Sequence, residues 1–251
     1  MPLIQPEQII VDRNAGASLR EVAAAQRLRR GAIGLGGLVL AYFCWQLAIA
    51  LLAPQLPYFL SDATPASIAE GKARTMAAAA RLALNRGDLW RDQALLLAAP
   101  ARKAADGDTG ARQRLADARG AAMRAVRSAP HDARAWLLLS MLQDEEGADA
   151  RLKLEALKMS YYTGSSDRAL LGWRLRRVLA ARAMDDADLR TMAEEDIRVA
   201  ARDPQFQPLL ITAYQTASLA GRRLVEETVS ALNPDLLAKM KRSDQPQAIP
   251  H

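Results

Sequence analysis

The chain has 251 residues, a formal net charge of +6 and an aromatic content of 5%. Aromatic and β-branched residues are sparse while Ala, Leu and Arg dominate, a composition that favours helix throughout. Cys44 is the only cysteine, which excludes a disulfide within the chain and a zinc site built from thiolates. The basic residues do not alternate with aromatic ones as a nucleic-acid platform requires. The charge excess is therefore interpreted as solvated helix faces, and no nucleic-acid partner is predicted.

Residues 1–30 are predicted to form a polar tail. Residues 1–10 are expected to be extended or loose. Residues 17–30 contain good helix formers with apolar side chains at helical spacing. We expect this helical part either to continue into the next segment or to lie against a membrane surface, where its arginines would meet anionic lipid.

Residues 31–54 have the length and composition of a transmembrane helix. No charged residue occurs between Arg30 and Asp62. The 22 residues from 32 to 53 would cover about 33 Å as a helix, enough to cross a hydrocarbon core of about 30 Å. Pro54 cannot continue the helical hydrogen-bond ladder, so it is expected to end the span.

Two alternatives compete with a retained anchor. The first is a buried helix of a soluble domain, which rarely runs this long without a polar face. The second is a signal peptide cleaved near Ala48-Ile49-Ala50, a small-x-small sequence. The polar lead of residues 1–30 is too long for the usual start of a signal peptide, so the retained anchor is favoured.

Arginine is concentrated on one side of the predicted span. The first basic residue after the span is Lys72, whereas five arginines precede it: Arg13, Arg20, Arg27, Arg29 and Arg30. Positively charged flanks stay in the cytoplasm. We therefore predict a single-pass protein with a cytoplasmic N-terminus and with everything after residue 54 on the other side of the membrane.

Small residues within the span lie one helical turn apart. Ala32 pairs in this way with Gly36, and Gly37 with Ala41. This spacing permits close helix packing in lipid. The predicted partners of the span are therefore the lipid bilayer and, through this face, a second copy of the chain in a homo-oligomer.

The rest of the chain is predicted to be a linker, a helical domain and a tail. Pro57 and Pro65 mark the linker, residues 55–65. The helical domain covers residues 66–242, and residues 243–251 are expected to be a disordered tail. No segment alternates between apolar and polar residues as a half-buried strand would.

Glycines, prolines and capping residues set the expected helix boundaries in this domain. One helix is expected to stop at Gly87, and Asp88 is expected to cap the next. A later helix is expected to be capped by Ser166 or Asp167. The segment QPLLITAYQTASLAG is predicted to be one uninterrupted helix that ends at Gly221.

A repeat of helical hairpins is indicated in the middle of the domain. Registers that begin at Ala99, Ala133 and Asp167 keep a step of 34 residues. Two sets of residues match a tetratricopeptide repeat: the small residues and closing proline of its second helix (Ala118, Ala122, Ala125, Pro130), and the aromatic, apolar, small and turn residues of its first (Trp136, Leu139, Ser140, Gly147). In that repeat the aromatic residue packs against small residues of the partner helix.

The match to the repeat is partial. The first helix of the unit from Ala99 does not fit, Gln143 and Leu152 replace an aromatic and a small residue, and Trp173 comes one turn late. The predicted fold is therefore all-α, with one N-terminal transmembrane helix followed by a degenerate tetratricopeptide-like helical-hairpin solenoid.

The layout of an anchor, then AWLLLSML, ALKMSYYTGSSDRALLGWRLRRVLA and DADLRTMAEEDIRVAARDP resembles a known family. It is similar to the VpsP-like membrane-anchored accessory proteins associated with exopolysaccharide or capsule loci in Gram-negative bacteria. The resemblance covers roughly residues 32–235. It implies a bacterial inner-membrane protein with a periplasmic domain, whose partners are envelope proteins of polysaccharide assembly or export.

No catalytic, cofactor-binding or metal-binding residue is predicted. Apart from the terminal His251, the only histidine is His131, and the neighbouring Asp132 is interpreted as a helix cap. No G-x-S-x-G, Walker A or G-x-G-x-x-G pattern occurs after the span. The acidic runs are interpreted as helix caps and solvated faces, because none has the spacing of a metal-binding loop: Asp144-Glu145-Glu146, Asp185-Asp186 and Glu194-Glu195-Asp196.

Three aromatic residues are the candidate partner-binding residues. Tyr161, Tyr162 and Trp173 would either line a groove that stacks on a sugar or holds a peptide, or pack between repeats. Three functions follow. The first is a non-catalytic scaffold for envelope polysaccharide assembly, the second a structural or regulatory subunit of another envelope machine, such as secretion, cytochrome maturation or cell division. The third, a glycan-active enzyme, requires paired carboxylates across a cleft.

Overall fold

The chain is helical throughout the part that the computed structural model describes, which is residues 6–53, 66–83, 86–101, 108–145, 150–180 and 185–244. These residues contain no strand, so the all-α prediction is confirmed. The helices, with one 3-10 turn at Arg168–Leu170, are α1 (Pro6–Leu52), α2 (Ala66–Leu82), α3 (Gly87–Ala101), α4 (Thr109–Ser128), α5 (Ala133–Glu145), α6 (Ala150–Gly164), α7 (Leu171–Ala180), α8 (Ala187–Arg202), α9 (Gln207–Gln215), α10 (Leu219–Ser230) and α11 (Pro234–Asp244).

Several sequence predictions fall on residues outside that part. They concern the linker at 55–65, the repeat position Gly147, and residues 245–251 of the tail. Residues 243 and 244, which were also assigned to the tail, are the last residues of α11.

Helix α1 contains the predicted span. The most apolar 18-residue window within residues 25–52 has a mean hydropathy of 2.0, and only 6% of that window is buried. By length and composition this is one helix that can cross a membrane, and residues 1–52 form a compact unit of their own. The prediction that the first ten residues are extended or loose is wrong from Pro6 onward, since α1 begins there and runs without a break.

Helices α2–α11 belong to a second compact unit, residues 53–251. In its first half, neighbours in sequence pack together: α2 with α3, α3 with α4, α4 with α5 and α5 with α6. In its second half α7 is central, because it packs against α8, α9 and α10. Leu175, Val178 and Leu179 of α7 are fully buried in the main hydrophobic core.

The predicted 34-residue registers agree with the helix boundaries in two places out of three. Ala133 is the first residue of α5, and Asp167 immediately precedes the 3-10 turn that leads into α7. Ala99 instead lies in the last turn of α3, so no helix begins there. The predicted small residues of α4, Ala118, Ala122 and Ala125, are fully buried.

The capping predictions hold at two sites and fail at one. Asp132 caps α5, since its Oδ1 accepts hydrogen bonds from the backbone N–H of Arg134 (2.9 Å) and Ala135 (3.3 Å). Asp167, rather than Ser166, caps the 3-10 turn through the N–H of Ala169 (3.1 Å). Asp88 lies inside the first turn of α3 and pairs with Arg86 instead of capping the helix.

Trp136 is less buried than the repeat pattern predicts. Its side chain is half-buried, and its Nε1–H donates to the carbonyl oxygen of Pro130 at 2.8 Å. The adjacent Leu137 is fully buried. The deeply buried indole is that of Trp90 on α3, which carries the guanidinium of Arg124 from α4 at 5.0 Å from its ring centroid.

Trp136→Ala is therefore expected to lower the free energy of unfolding by about 2 kcal/mol, below the roughly 3–5 kcal/mol typical of a fully buried Trp. The loss combines part of the ring's burial with one hydrogen bond. Urea unfolding of residues 66–244, followed by circular dichroism, measures it. Leu137→Ala should cost more in the same experiment; the reverse order would show that Trp136 is the better buried residue.

The predicted continuous helix up to Gly221 is broken by a tertiary contact. Ser218 donates from both its N–H and its hydroxyl to the carbonyl oxygen of Leu179, each at 2.9 Å. The same hydroxyl oxygen accepts from the N–H of Gly221 at 3.2 Å and caps α10. The chain therefore leaves α9 at Gln215 and starts α10 at Leu219.

Gly221 sits where α10 meets the end of α7. A Cβ atom added here would lie 3.1 Å from both the Cα and the carbonyl carbon of Leu179, and still closer to the carbonyl oxygen. We expect Gly221→Ala to destabilise the domain by roughly 1–3 kcal/mol, because the contact is with backbone. Gly120→Ala on α4 is the matched control, since no atom lies within 4 Å of its added Cβ. It should stabilise by up to about 1 kcal/mol through helix propensity. Equal effects in urea unfolding would contradict this packing.

Candidate binding cleft

Two of the three predicted partner-binding residues line one cleft. The cleft lies between the C-terminal end of α6 and helix α8 and has a volume of about 360 Å³. Its lining residues are Tyr161, Tyr162, Ser165, Thr191, Met192, Glu195 and Asp196. A second recess of about 270 Å³ shares Ser165, Glu195 and Asp196 with it, so the two form adjoining lobes. We refer to the 360 Å³ lobe as the tyrosine cleft.

The two tyrosines have different environments. Tyr161 is 4% exposed, whereas Tyr162 is 59% exposed. Consecutive residues on a helix point about 100° apart, which places the first ring in the core and the second at the rim. Trp173 does not line the tyrosine cleft. It packs on the hydrophobic core from α7, with the guanidinium of Arg176 at 4.0 Å from its ring centroid.

Asp196 forms the polar floor of the tyrosine cleft. It is only 9% exposed, so the prediction that the whole run 194–196 is solvated is wrong at this residue. Glu194 and Glu195 do pair with Arg198 near the surface. Within the described part of the chain, neither Oδ2 of Asp196 nor the hydroxyl of Tyr161 has a hydrogen-bond partner. Both atoms therefore retain unused hydrogen-bonding capacity.

A buried arginine lies behind these two groups. Arg174 of α7 is 1% exposed, and its guanidinium lies 4.8 Å from the centroid of the Tyr161 ring. Its Nε–H donates to the hydroxyl oxygen of Ser160 at 3.2 Å, and its Nη2 donates to the carbonyl oxygen of Ser160. These bonds hold the cation on the Ser160 side, where it partly compensates the charge of Asp196.

Burial controls the ionisation of the site. Desolvation raises the pKa of the Asp196 carboxyl to about 6, against the opposing influence of Tyr161 and Arg174. Desolvation, reinforced by the Asp196 charge, also raises the pKa of the Tyr161 phenol well above its ordinary value. The two groups thus interact electrostatically, although the geometry between them is not that of a hydrogen bond.

The pattern of apolar residues contains the signal that identifies Asp196 and Arg174. On α8 the buried residues Leu189, Ala193 and Ala200 share one face, and Asp196 falls on that face at helical spacing. Arg174 occupies the same kind of position between Leu171 and Val178 on α7. A charged residue on an apolar stripe indicates a buried polar site.

His131 lines a different recess, of about 540 Å³, near the beginnings of α3 and α5. Its neighbour Asp132 is engaged in capping α5 and in an ion pair with Arg91 at 2.7 Å. Arg134 and Asp167 form a further pair there, at 3.4 Å. These charged groups pair with one another. The Asp132 carboxylate is therefore already engaged, by Arg91 and by the first backbone N–H groups of α5.

The described residues contain no group of three or more His, Cys, Asp or Glu side chains placed to hold a metal ion. Comparison of the chain with protein-family models, with curated proteins and with solved structures found no significant match.

Proposed function

We propose that the chain is a single-pass inner-membrane protein of a Gram-negative bacterium whose periplasmic helical domain binds a protein of exopolysaccharide assembly or export. In this proposal the domain acts as a scaffold and catalyses no reaction. The envelope context comes from the sequence resemblance, and the tyrosine cleft is the binding surface.

One observation supports the membrane anchor most strongly. Residues 25–52 form an apolar helix that is almost entirely uncovered, with 6% of its most apolar window buried. An exposed apolar surface of this size is unfavourable in water and requires lipid or a partner. The arginines before the helix favour a cytoplasmic N-terminus. A tether of this kind confines the domain to the membrane surface, which raises its effective concentration for partners embedded there.

A tetratricopeptide-like solenoid is the second part of the proposal. It is supported by the start of α5 at Ala133, by the next start after Asp167, and by the packing of α3, α4, α5 and α6 in sequence order. Stacked hairpins of this kind present extended surfaces that suit a peptide or a helix. Tyr162, exposed beside the buried polar atoms of Asp196 and Tyr161, is the contact residue that we assign to this surface.

A glycan-active enzyme is a second candidate, favoured by one observation. A carboxyl with a pKa of about 6 in a cleft, as at Asp196, has the protonation behaviour of a general acid. Such an enzyme would hydrolyse fluorogenic glycosides, and Asp196→Asn would abolish the activity. A scaffold would leave these substrates intact.

Deletion of the gene in the bacterium that encodes it tests the proposed function. We expect loss of surface polysaccharide, restored by the full chain but not by residues 66–244 exported without the anchor. Immunoblotting of the exported fragment controls for its abundance. Unchanged surface polysaccharide in the deletion strain would contradict the polysaccharide role.

A further inference from the structure

The tyrosine cleft combines an acidic floor, an apolar side and an exposed aromatic rim. Its charged lining residues are Asp196 and Glu195, of which Glu195 pairs with Arg198 at 3.2 Å; among the described residues no lysine, arginine or histidine lines the cleft. Arg174, the nearest buried cation, is bonded to Ser160 behind the Tyr161 ring. The charge of the lining is therefore negative and centres on Asp196, since Glu195 is paired with Arg198.

Two polar atoms of the floor make no hydrogen bond to the described residues. Oδ2 of Asp196 is buried without a donor, and the hydroxyl oxygen of Tyr161 is buried without a partner. A buried polar atom without a partner is unfavourable, and more so if it is charged. A ligand that brings several N–H groups into the cleft would recover this cost at both atoms.

The sides of the cleft suit an apolar stem. Met192 of α8 lies partly buried in the cleft lining, and the ring of Tyr162 is 59% exposed at the rim. Arginine has both required parts, an aliphatic stem that packs on apolar surface and a planar guanidinium with five N–H donors that stacks on aromatic rings.

We propose that the tyrosine cleft binds an arginine side chain of the partner polypeptide, with the guanidinium donating to Asp196 and Tyr161 and lying against Tyr162. This assignment deepens the proposed function and rests on it. A neutral sugar would gain hydrogen bonds at the floor but no attraction from the Asp196 carboxylate, so the charge of the floor favours the cation over a glycan.

A short peptide titration of the full chain in lipid nanodiscs tests this assignment. The chain is labelled with 13C at its methionine methyl groups, and Met192→Leu identifies the Met192 signal. The probe is the acetylated, amidated tripeptide Ala-Arg-Ala, compared with Ala-citrulline-Ala, in which a neutral urea replaces the guanidinium. We expect a saturable shift of the Met192 signal with the arginine peptide, and at least tenfold weaker binding of the citrulline peptide.

The ionisation of Asp196 provides a second readout. The charged groups that face it are Arg174 from α7 and Glu195 from α8, with the phenol of Tyr161 from α6. Because a guanidinium binds the ionised carboxylate, affinity should be several-fold lower at pH 5 than at pH 7.5. The pH dependence should disappear in Asp196→Asn, along with most of the binding.

Surface variants keep the test independent of folding. Tyr162→Ala and Glu195→Gln alter exposed groups of the cleft and should each weaken the arginine peptide several-fold. Glu227→Gln on α10, an equal change of charge outside the cleft lining, should leave binding unchanged.

Equal affinity for the two peptides would overturn the proposal, as would a Met192 shift caused only by an oligosaccharide such as chitotriose. If a partner is found in cells but the arginine peptide does not bind, only this inference fails and the proposed function stands.

Discussion

A fusion of alkaline phosphatase to the C-terminus of the full chain is expected to be active in Gram-negative cells, whereas green fluorescent protein at the same position should be dark. Alkaline phosphatase requires disulfides, which form in the periplasm and not in the cytoplasm. Five arginines precede the span, whereas the first basic residue after it is Lys72, and we expect this asymmetry to keep the N-terminus in the cytoplasm. We therefore expect each C-terminal fusion to be either fully active or inactive, with no intermediate level.

Fusions to the N-terminus are the control for this prediction. There the fluorescent protein should be bright and the phosphatase inactive. The opposite pattern at both ends would show that the chain has the reverse orientation in the membrane. A fluorescent C-terminal fusion that fractionates with the soluble proteins would contradict the anchor itself.

A loss of stability between about pH 4 and pH 6 is expected from Asp196. Its pKa in the folded protein is about 6, compared with 3.8 for the free side chain. Well below pH 4 the carboxyl is protonated in both folded and unfolded states. As the pH rises towards 6, only the unfolded state ionises, so the free energy of unfolding falls. The full effect corresponds to about 3 kcal/mol and is reached above pH 6.

Asp196→Asn should remove this contribution. Relative to the unmodified chain, the variant should therefore become progressively more stable as the pH rises from 4 to 7 in urea unfolding experiments.

Asp186→Asn is the control of opposite sign. Burial raises the pKa of Asp186, but its pKa is lowered overall by Lys158, at 2.7 Å, and by backbone N–H groups at the start of α8. Asp186 therefore stabilises above the pKa of the unfolded state and loses that effect as the pH falls. A constant difference between Asp196→Asn and the unmodified chain across the range would contradict the buried, neutralised carboxyl.

Helix content and several helix starts were predictable because local chemistry determines them. Asp132 and Asp167 satisfy backbone N–H groups at the first turn of the elements that they precede, a requirement that the sequence states directly. The exposed apolar helix within α1 follows equally from composition.

The errors occurred where tertiary contacts outweigh local preference. Nothing in the sequence around Gly221 indicates that Ser218 bonds to Leu179, 39 residues earlier in the chain. The repeat pattern placed Trp136 in the core, whereas the structure buries Leu137 and leaves the indole half-exposed. The register at Ala99 failed because α3 begins earlier, at Gly87.

The candidate site was predictable in part. Aromatic residues at 161 and 162 indicated a surface for partners, and both line the tyrosine cleft, while Trp173 lies elsewhere on α7. The buried position of Asp196 was not predicted, because its two acidic neighbours, Glu194 and Glu195, are typical of a solvated helix face. Only the helical spacing of Leu189, Ala193 and Ala200 separates the buried carboxylate from the exposed ones.

Photo-crosslinking in living cells tests the central claim most directly, namely that a membrane-tethered domain binds a protein through the tyrosine cleft. The full chain would carry the photoreactive residue benzoylphenylalanine in place of Tyr162, with the exposed Arg223 of α10 as the control position. We expect irradiation to join position 162, but not 223, to a polysaccharide polymerase, chain-length regulator or export component. Equal products at both positions, or no protein product at 162 in cells that make surface polysaccharide, would contradict the account.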